Sequence, residues 1–174
     1  VNLANNRKII MVGFMQAQNC SNYPASWRHH QSAGDFLTPD YYKRIARALE
    51  DGKFHLGFFD DRLALPDIYG ADHKEAVKNG IRVVKMDPVP ILATMAMSTK
   101  NLGLAATIST TYYNAFHIAR TMMTLDHMTG GRAGWNVVTS LNDSEAFNMG
   151  ADGTIEHDRR YDRADELMTN IIDM

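Results

Sequence analysis

The chain has 174 residues, of which 45% are hydrophobic and 22% are charged, and its formal net charge at pH 7 is −2. These values are ordinary for a globular domain with a hydrophobic core, and a nearly neutral chain without a basic run is not expected to bind nucleic acid or an anionic membrane surface. No apolar run is long enough to span a membrane, and the single cysteine, Cys20, allows no internal disulfide, so we expect a cytoplasmic protein.

The first part of the chain predicts a strand, a long loop and a helix. The mostly apolar run from Lys8 to Phe14 predicts a buried strand. Residues 15–39 are rich in Asn, Ser, Gln and Pro, so they predict a loop, and loops of this length often carry function. A helix is predicted to begin at Thr38-Pro39-Asp40, because Thr can cap and Pro suits the first turn, and to end at Gly52.

Two adjacent carboxylates follow the second predicted strand, which runs from Phe54 to Phe59. Side chains next to each other diverge. We therefore expect one of Asp60 and Asp61 to face the mouth of the fold and the other to pair with Arg62. Residues 63–87 lack strong periodicity and predict a second long loop.

The second half of the chain continues the alternation of strands and helices. Its predicted elements are a helix from Asp87, a strand Gly103–Ser109, a helix ended by Gly130, a strand Arg132–Val138, a loop over residues 141–159 and a helix from Arg160. Four strand–helix units in succession predict a parallel sheet with right-handed crossovers. An open doubly wound sheet and a closed barrel both fit this pattern.

The stretch Thr129–Ser140, with the sequence TGGRAGWNVVTS, combines a tight turn with a polar strand end. Gly130 and Gly131 favour a turn because glycine adopts positive φ at little cost. The polar residues at the end of the predicted strand are Asn136, Thr139 and Ser140. Ligands of parallel sheets bind at this end of the strands, so an amide and two hydroxyls there could hydrogen-bond an extended polar ligand. The alternative is that they only cap the next element.

Three stretches in order carry a family resemblance: Ala106–Tyr113 (ATISTTYY), Thr129–Ser140 and His157–Glu166 (HDRRYDRADE). The chain resembles the luciferase-like flavin-dependent monooxygenases from Ile10 to Met174. Within them it is similar to the branch of nitrilotriacetate monooxygenase component A and dibenzothiophene-sulfone monooxygenase.

This resemblance implies an α/β fold, the (β/α)8 TIM barrel of the bacterial luciferase-like type, with about the first four β/α units supplied by this chain. A half barrel would leave strand edges and an apolar inner face open to water. We therefore expect residues 1–174 to be the N-terminal part of a single barrel domain.

The same resemblance implies a two-component monooxygenase. Such enzymes use reduced FMN, supplied by a separate NAD(P)H:flavin oxidoreductase, and O2, which together form a C4a-(hydro)peroxide that oxygenates a small organic substrate. We expect an aromatic or heterocyclic substrate, with sulfone or C–N cleavage as possible reactions, and a homo-oligomer, either a dimer or a tetramer. The alternatives are a deazaflavin-dependent reductase on the same barrel and a non-catalytic flavin-binding or subunit-interaction fragment.

Family resemblance also implies which side chains surround the flavin and the substrate. The expected flavin-binding residues are Phe14, Asp61, Thr107, Ser109, Asn136, Thr139, His157 and Tyr161. The expected substrate-binding residues are Trp27, His29 and Tyr112. No catalytic residue is assigned, because flavin performs the difficult chemistry itself. No metal site is predicted, since the adjacent His29 and His30 would rarely both reach one ion.

Overall fold

The computed structural model describes residues 9–21, 23, 25–32 and 34–174. The predicted strand start at Lys8 lies outside these residues, as do Asn22, Pro24 and Ala33 of the first predicted loop. Within the described part of the chain, no helix is long and apolar enough to cross a membrane.

Four parallel strands form a single sheet in the order β1-β2-β3-β4 within the described residues. The strands are β1 (Val12–Gln16), β2 (Leu56–Asp60), β3 (Gly103–Ser109) and β4 (Ala133–Val138). The helices are α1 (Pro39–Asp51), α2 (Lys74–Asn79), α3 (Pro88–Ala96), α4 (Ala115–Thr129), α5 (Asp143–Asn148) and α6 (His157–Ile172). The predicted alternation and the parallel sheet are confirmed.

The predicted start and end of α1, the start of α3 and the end of α4 agree with the structure, although Thr38 does not cap α1 as expected. The Asp87 carboxylate accepts a hydrogen bond from the backbone N–H of Val89, which starts α3 as expected. At α1, however, the Thr38 hydroxyl donates to the carbonyl of Asp35 and makes no cap bond to the helix. The predicted glycine turn after α4 is confirmed, because Gly130 has a φ of 70°.

Strand β1 lies later in the sequence than predicted. Ile9 is 83% exposed and precedes the first register pair of the sheet, Val12 with Leu56. An apolar run indicates a buried strand only where a partner strand runs beside it, and here the partner begins at Leu56. Phe14 therefore lies in the middle of β1 and not at its end.

Two short helices occupy segments that the sequence predicts as loops, and a third helix starts early. Helix α2 lies within residues 63–87 and α5 within residues 141–159. Each has six residues, too few for an apolar periodicity to emerge. Helix α6 begins at His157 and not at Arg160, because the Glu156 carboxylate accepts hydrogen bonds from the first backbone amides of the helix.

The two faces of the sheet have different environments. The outer face packs on α1, α3 and α4 in a core that includes Phe59, Leu92, Met95 and Leu104. The inner face bears Phe14, whose ring lies 5.5 Å from that of Phe58 and is 55% exposed.

The guanidinium of Arg132 joins two connections at the amino-terminal edge of the sheet. Its Nε donates to the carbonyl of Thr129 at 2.8 Å, and its Nη1 donates to the Leu102 carbonyl at 2.8 Å and the Thr99 hydroxyl at 3.0 Å. Its Nη2 reaches the carbonyls of Thr99 and Ala96 at 3.3 and 3.4 Å. The Arg132 side chain therefore connects the segment that leads into β3 with the turn that precedes β4.

Candidate functional site

A cleft of about 720 Å³ lies at the carboxyl ends of the strands, between β1, β2, β4 and α6. This is the edge at which parallel α/β sheets bind ligands, and the volume falls within the range of cofactor pockets. Four of the predicted flavin-binding residues line it: Phe14, Asp61, Thr139 and Tyr161.

Below this cleft, the inner face of the sheet carries two polar register pairs. Gln16 lies opposite Asp60, and its amide nitrogen donates to the carboxylate at 2.8 Å. Thr107 lies opposite Asn136, whose amide nitrogen donates to the threonine hydroxyl at 3.0 Å. The Thr107 hydroxyl in turn donates to the carbonyl of Phe59 at 2.9 Å. Asn136 is therefore held in one orientation by the neighbouring strand.

The pairing predicted for Asp60 and Asp61 is wrong. Asp60 forms an ion pair with Lys85 at 2.9 Å, and the Asp61 carboxylate accepts a hydrogen bond from the backbone N–H of Arg62 at 2.8 Å. The Arg62 guanidinium lies 3.6 Å from Asp67 instead. Sequence analysis did not single out Gln16 and Lys85, and it chose Asp61 over Asp60 as the site carboxylate, because only the strand register and the path of the long loop bring Gln16, Asp60 and Lys85 together.

Burial raises the pKa of Asp61 from its ordinary value of 3.8 to about 6, although the Lys85 ammonium acts in the opposite direction. The carboxylate therefore destabilises the folded protein above pH 6, whereas below pH 4 it is protonated and this destabilisation is lost.

We expect Asp61→Asn to raise the free energy of unfolding by roughly 1–3 kcal/mol at pH 8, because it removes a desolvated charge and keeps an acceptor for the Arg62 amide. The gain should shrink as the pH falls from 7 to 4. Urea unfolding of wild type and Asp61→Asn at pH 8 and at pH 4 tests the expectation. A variant less stable than wild type at pH 8, or a gain that does not change with pH, would contradict it.

Among the predicted hydroxyl residues, Ser109 and Ser140 have side chains that bond to protein partners. The Ser109 hydroxyl accepts from the Ser140 hydroxyl at 2.9 Å and from the backbone N–H of Thr111 at 3.2 Å. The Thr111 hydroxyl donates to the carbonyl of Thr139. These bonds connect the ends of β3 and β4 and shape one wall of the cleft.

His157 and Tyr161 share one face of the first turns of α6, as their spacing predicts. Their ring centroids lie 5.0 Å apart, and the Nδ1 atom of His157 lies 2.7 Å from a carboxylate oxygen of Asp158. Tyr161 lines the cleft, whereas His157 is exposed beside it.

The predicted substrate-binding residues do not come together, and of the three only Trp27 is among the lining residues of either cleft. Trp27 lines a second cleft of about 490 Å³, which shares Phe14 and Gln16 with the first cleft. The exposed ring of His29 stacks on His30 with centroids 4.5 Å apart. Tyr112 lies near Glu145, beyond the end of β3, where burial raises the pKa of its phenol.

Backbone and side-chain hydrogen bonds hold two long connections together beside the second cleft. The Asn19 amide donates to the Gly80 carbonyl at 2.8 Å and accepts from the backbone N–H of Val84 at 3.3 Å. The backbone N–H of Met86 donates to the carbonyl of Ala17 at 2.8 Å. We call this set of contacts, between residues 17–20 and 80–86, the loop clasp.

Among the described residues, no group of three or more His, Cys, Asp or Glu side chains lies close enough together to hold a metal ion. The polar groups of the cleft are carboxylates, amides, hydroxyls and guanidinium groups on several strand ends. Together with the aromatic rings of Phe14 and Tyr161, they suit an extended ligand that is partly flat and partly polar.

The four parallel strands, the helices that connect them and the cleft at the strand ends define a protein of the parallel α/β class. The chain belongs to the family of luciferase-like monooxygenases, which its residues 19–172 match. The predicted family and fold class are thereby confirmed.

Among relatives, dibenzothiophene-sulfone monooxygenase of Rhodococcus erythropolis is 49% identical over 163 residues, a match that covers 93% of this chain and 36% of the relative. The crystal structure of long-chain alkane monooxygenase superposes with a TM-score of 0.90 at 36% identity, covering 95% of this chain and 38% of that one. Riboflavin lyase, crystallised with a modified FMN and its substrate riboflavin, superposes with a TM-score of 0.87 at 32% identity over 95% of this chain and 37% of that one. The chain thus spans little more than a third of the length of these proteins.

Proposed function

We propose that the polypeptide carrying this chain is a two-component monooxygenase that uses reduced FMN and O2 to oxygenate a small organic substrate, with a separate flavin reductase as its partner. The observation that carries the proposal is the cleft at the strand ends, where four residues expected to contact flavin line a single cavity in a member of the luciferase-like family. The FMN found with riboflavin lyase supports the choice of cofactor.

The residues of the cleft fit a flavin. Phe14 packs on Phe58 and offers an apolar ring as a wall for a flat ring system. On the inner face, Asn136 uses one N–H of its amide to bond Thr107, so the amide oxygen and the second N–H remain for a ligand. Tyr161 and His157 lie at the other end, where they would bond the ribityl chain or the phosphate.

Reduced FMN would supply the oxygen-activating chemistry when it is bound there. The residues of this chain would hold the ring, exclude water and present the substrate. The second cleft, with Trp27 on its wall, opens towards the same Phe14 ring and suits an aromatic or heterocyclic substrate. The predicted cytoplasmic location, the homo-oligomeric state and the limits of the barrel domain remain predictions.

Stopped-flow spectroscopy tests the proposal directly. The native polypeptide is mixed anaerobically with reduced FMN and then with oxygenated buffer, and the flavin absorbance is followed. We expect a transient species that free FMN does not give, and oxygenation of substrate only when flavin is reduced. Flavin oxidation at the rate of free FMN, or turnover with deazaflavin in place of FMN, would contradict the monooxygenase assignment.

Replacing Asn136 with Ala is expected to weaken binding of reduced FMN by about 0.5–1.5 kcal/mol, the usual contribution of one neutral hydrogen bond. The melting temperature should change little, because the side chain contributes hydrogen bonds and little core volume. Anaerobic titration of FMN measures the loss, with Asn170→Ala on the exposed side of α6 as a matched control. Equal affinities in both variants would place Asn136 outside the flavin site.

A further inference from the structure

Four acidic side chains line the first cleft, and two of them, Asp60 and Glu145, each accept from several protein donors. Asp60 accepts from Lys85 and Gln16. Glu145, only 4% exposed, accepts from the backbone amides of Leu63, Leu141 and Asn142. Of the other two, Asp61 accepts from the backbone N–H of Arg62, and Asp165 lies exposed on α6.

Arg62, which lines the same cleft, is in a different situation. Its Nε and Nη2 atoms are buried, and neither has a hydrogen-bond acceptor among the described residues. Its ion-pair partner Asp67 lies 3.6 Å away, beyond hydrogen-bonding distance. A guanidinium has five N–H donors in a planar fork. In Arg62, the donors on Nε and Nη2 have no acceptor among the described residues, and the residue lines a cleft.

A second guanidinium reaches the cleft from another segment. Arg82 also lines it, and the backbone of this residue has a φ of 51°, a left-handed conformation that is uncommon for residues other than glycine. Its backbone N–H donates to the Cys20 sulfur at 3.3 Å, within the loop clasp. Strained backbone that is held in place by its surroundings is frequently found at functional sites.

We propose that Arg62 binds a carboxylate or sulfonate group of the substrate, so that the organic substrate of this site is an anion. The inference rests on the proposed function and specifies its substrate class. Two oxyanion oxygens match the guanidinium fork in a bidentate arrangement. A neutral analogue would leave the buried donors unpaired, which is a strong source of discrimination.

The proposal is tested on the native polypeptide with FMN at saturation, so that the groups that bind the flavin phosphate are occupied. Titration calorimetry compares benzenesulfonate with the neutral benzenesulfonamide. We expect wild type to bind benzenesulfonate at least about tenfold more tightly. In Arg62→Gln this preference should disappear, and Arg62→Lys should restore part of it because it restores the charge.

Asp67→Asn is the matched control, since it removes the ion-pair partner but leaves the guanidinium in place. This variant should keep or increase the preference for benzenesulfonate. A purely structural role for Arg62 predicts instead that Arg62→Gln and Arg62→Lys both lower the melting temperature. It also predicts that neither substitution changes the ratio of the affinities for benzenesulfonate and benzenesulfonamide. That result, or equal affinities of wild type for the two probes, would overturn the proposal.

A separate comparison distinguishes a substrate anion from the flavin phosphate. FMN and riboflavin are titrated into wild type and Arg62→Gln, and we expect the substitution to leave the affinity ratio of the two flavins unchanged. A loss of FMN affinity that riboflavin does not share would assign the guanidinium to the cofactor and overturn the proposal. Failure of wild type to bind FMN at all would count against the proposed function, whereas the preference for benzenesulfonate in flavin-free protein would still support an anion site.

Discussion

Replacing Arg132 with Ala is expected to lower the free energy of unfolding of the native polypeptide by about 3 kcal/mol or more. The guanidinium donates to backbone carbonyls on both connections that it joins, among them those of Thr129 and Leu102. Removing it leaves these acceptors without partners at a partly buried edge of the sheet. Hydrogen bonds to a charged group contribute more than neutral ones, and several are lost at once.

Urea unfolding measures this loss, and two further variants show its origin. Arg132→Lys keeps the charge but cannot reproduce the fork, so we expect most of the destabilisation to remain. Arg163→Ala, on the exposed side of α6, should change the stability by less than about 0.5 kcal/mol. A loss below about 1 kcal/mol for Arg132→Ala would mean that water replaces the guanidinium without difficulty.

Residues 1–174 expressed alone are expected not to form a monomer that unfolds cooperatively. In the described sheet, β1 and β4 each pair with one neighbour only, so two parallel edges have unpaired backbone groups. The part of the inner face nearest the amino ends of the strands is apolar and open, with Val12 43% and Phe14 55% exposed. Parallel sheets are stable only when both of their faces are covered.

Size-exclusion chromatography and urea unfolding of residues 1–174 provide the measurement, with the native polypeptide as the reference. We expect association or a broad, non-cooperative transition for residues 1–174 and a cooperative one for the native polypeptide. A soluble monomer with a sharp transition would show that the inner face needs no cover, and it would count against the proposed barrel domain.

The framework of the sheet could be predicted because its signals are local. Strand β3 has the predicted bounds, Gly103–Ser109, since a mostly apolar run suits a strand that is buried on both faces. The ends of α1, α3 and α4 carry Pro or Gly, which act through backbone geometry alone. Helix α5 was missed, although the capping box of Asn142 and Glu145 was a usable signal for its start.

For most of the candidate site, the sequence predicts that the residues lie at the ends of strands but does not predict which side chains contact each other. Family resemblance suggested Phe14, Asp61 and Tyr161, and the structure brings them to one cleft. The contacts between them depend on register and on loop paths, which local patterns do not encode. The ion pair of Asp60 with Lys85 spans 25 positions and an intervening helix, so no short motif could reveal it.

The loop clasp has a consequence for exchanging parts between relatives. Because Asn19 bonds both Gly80 and Val84, neither connection keeps its shape without the other. The ring of Trp27 reinforces this dependence, since a Cβ atom at position 80 would come within 3.1 Å of it. A chimaera that receives only one of the two connections from another enzyme would therefore lose the contacts that hold the other one in place. Exchanges between relatives that aim to change specificity should therefore replace both connections together.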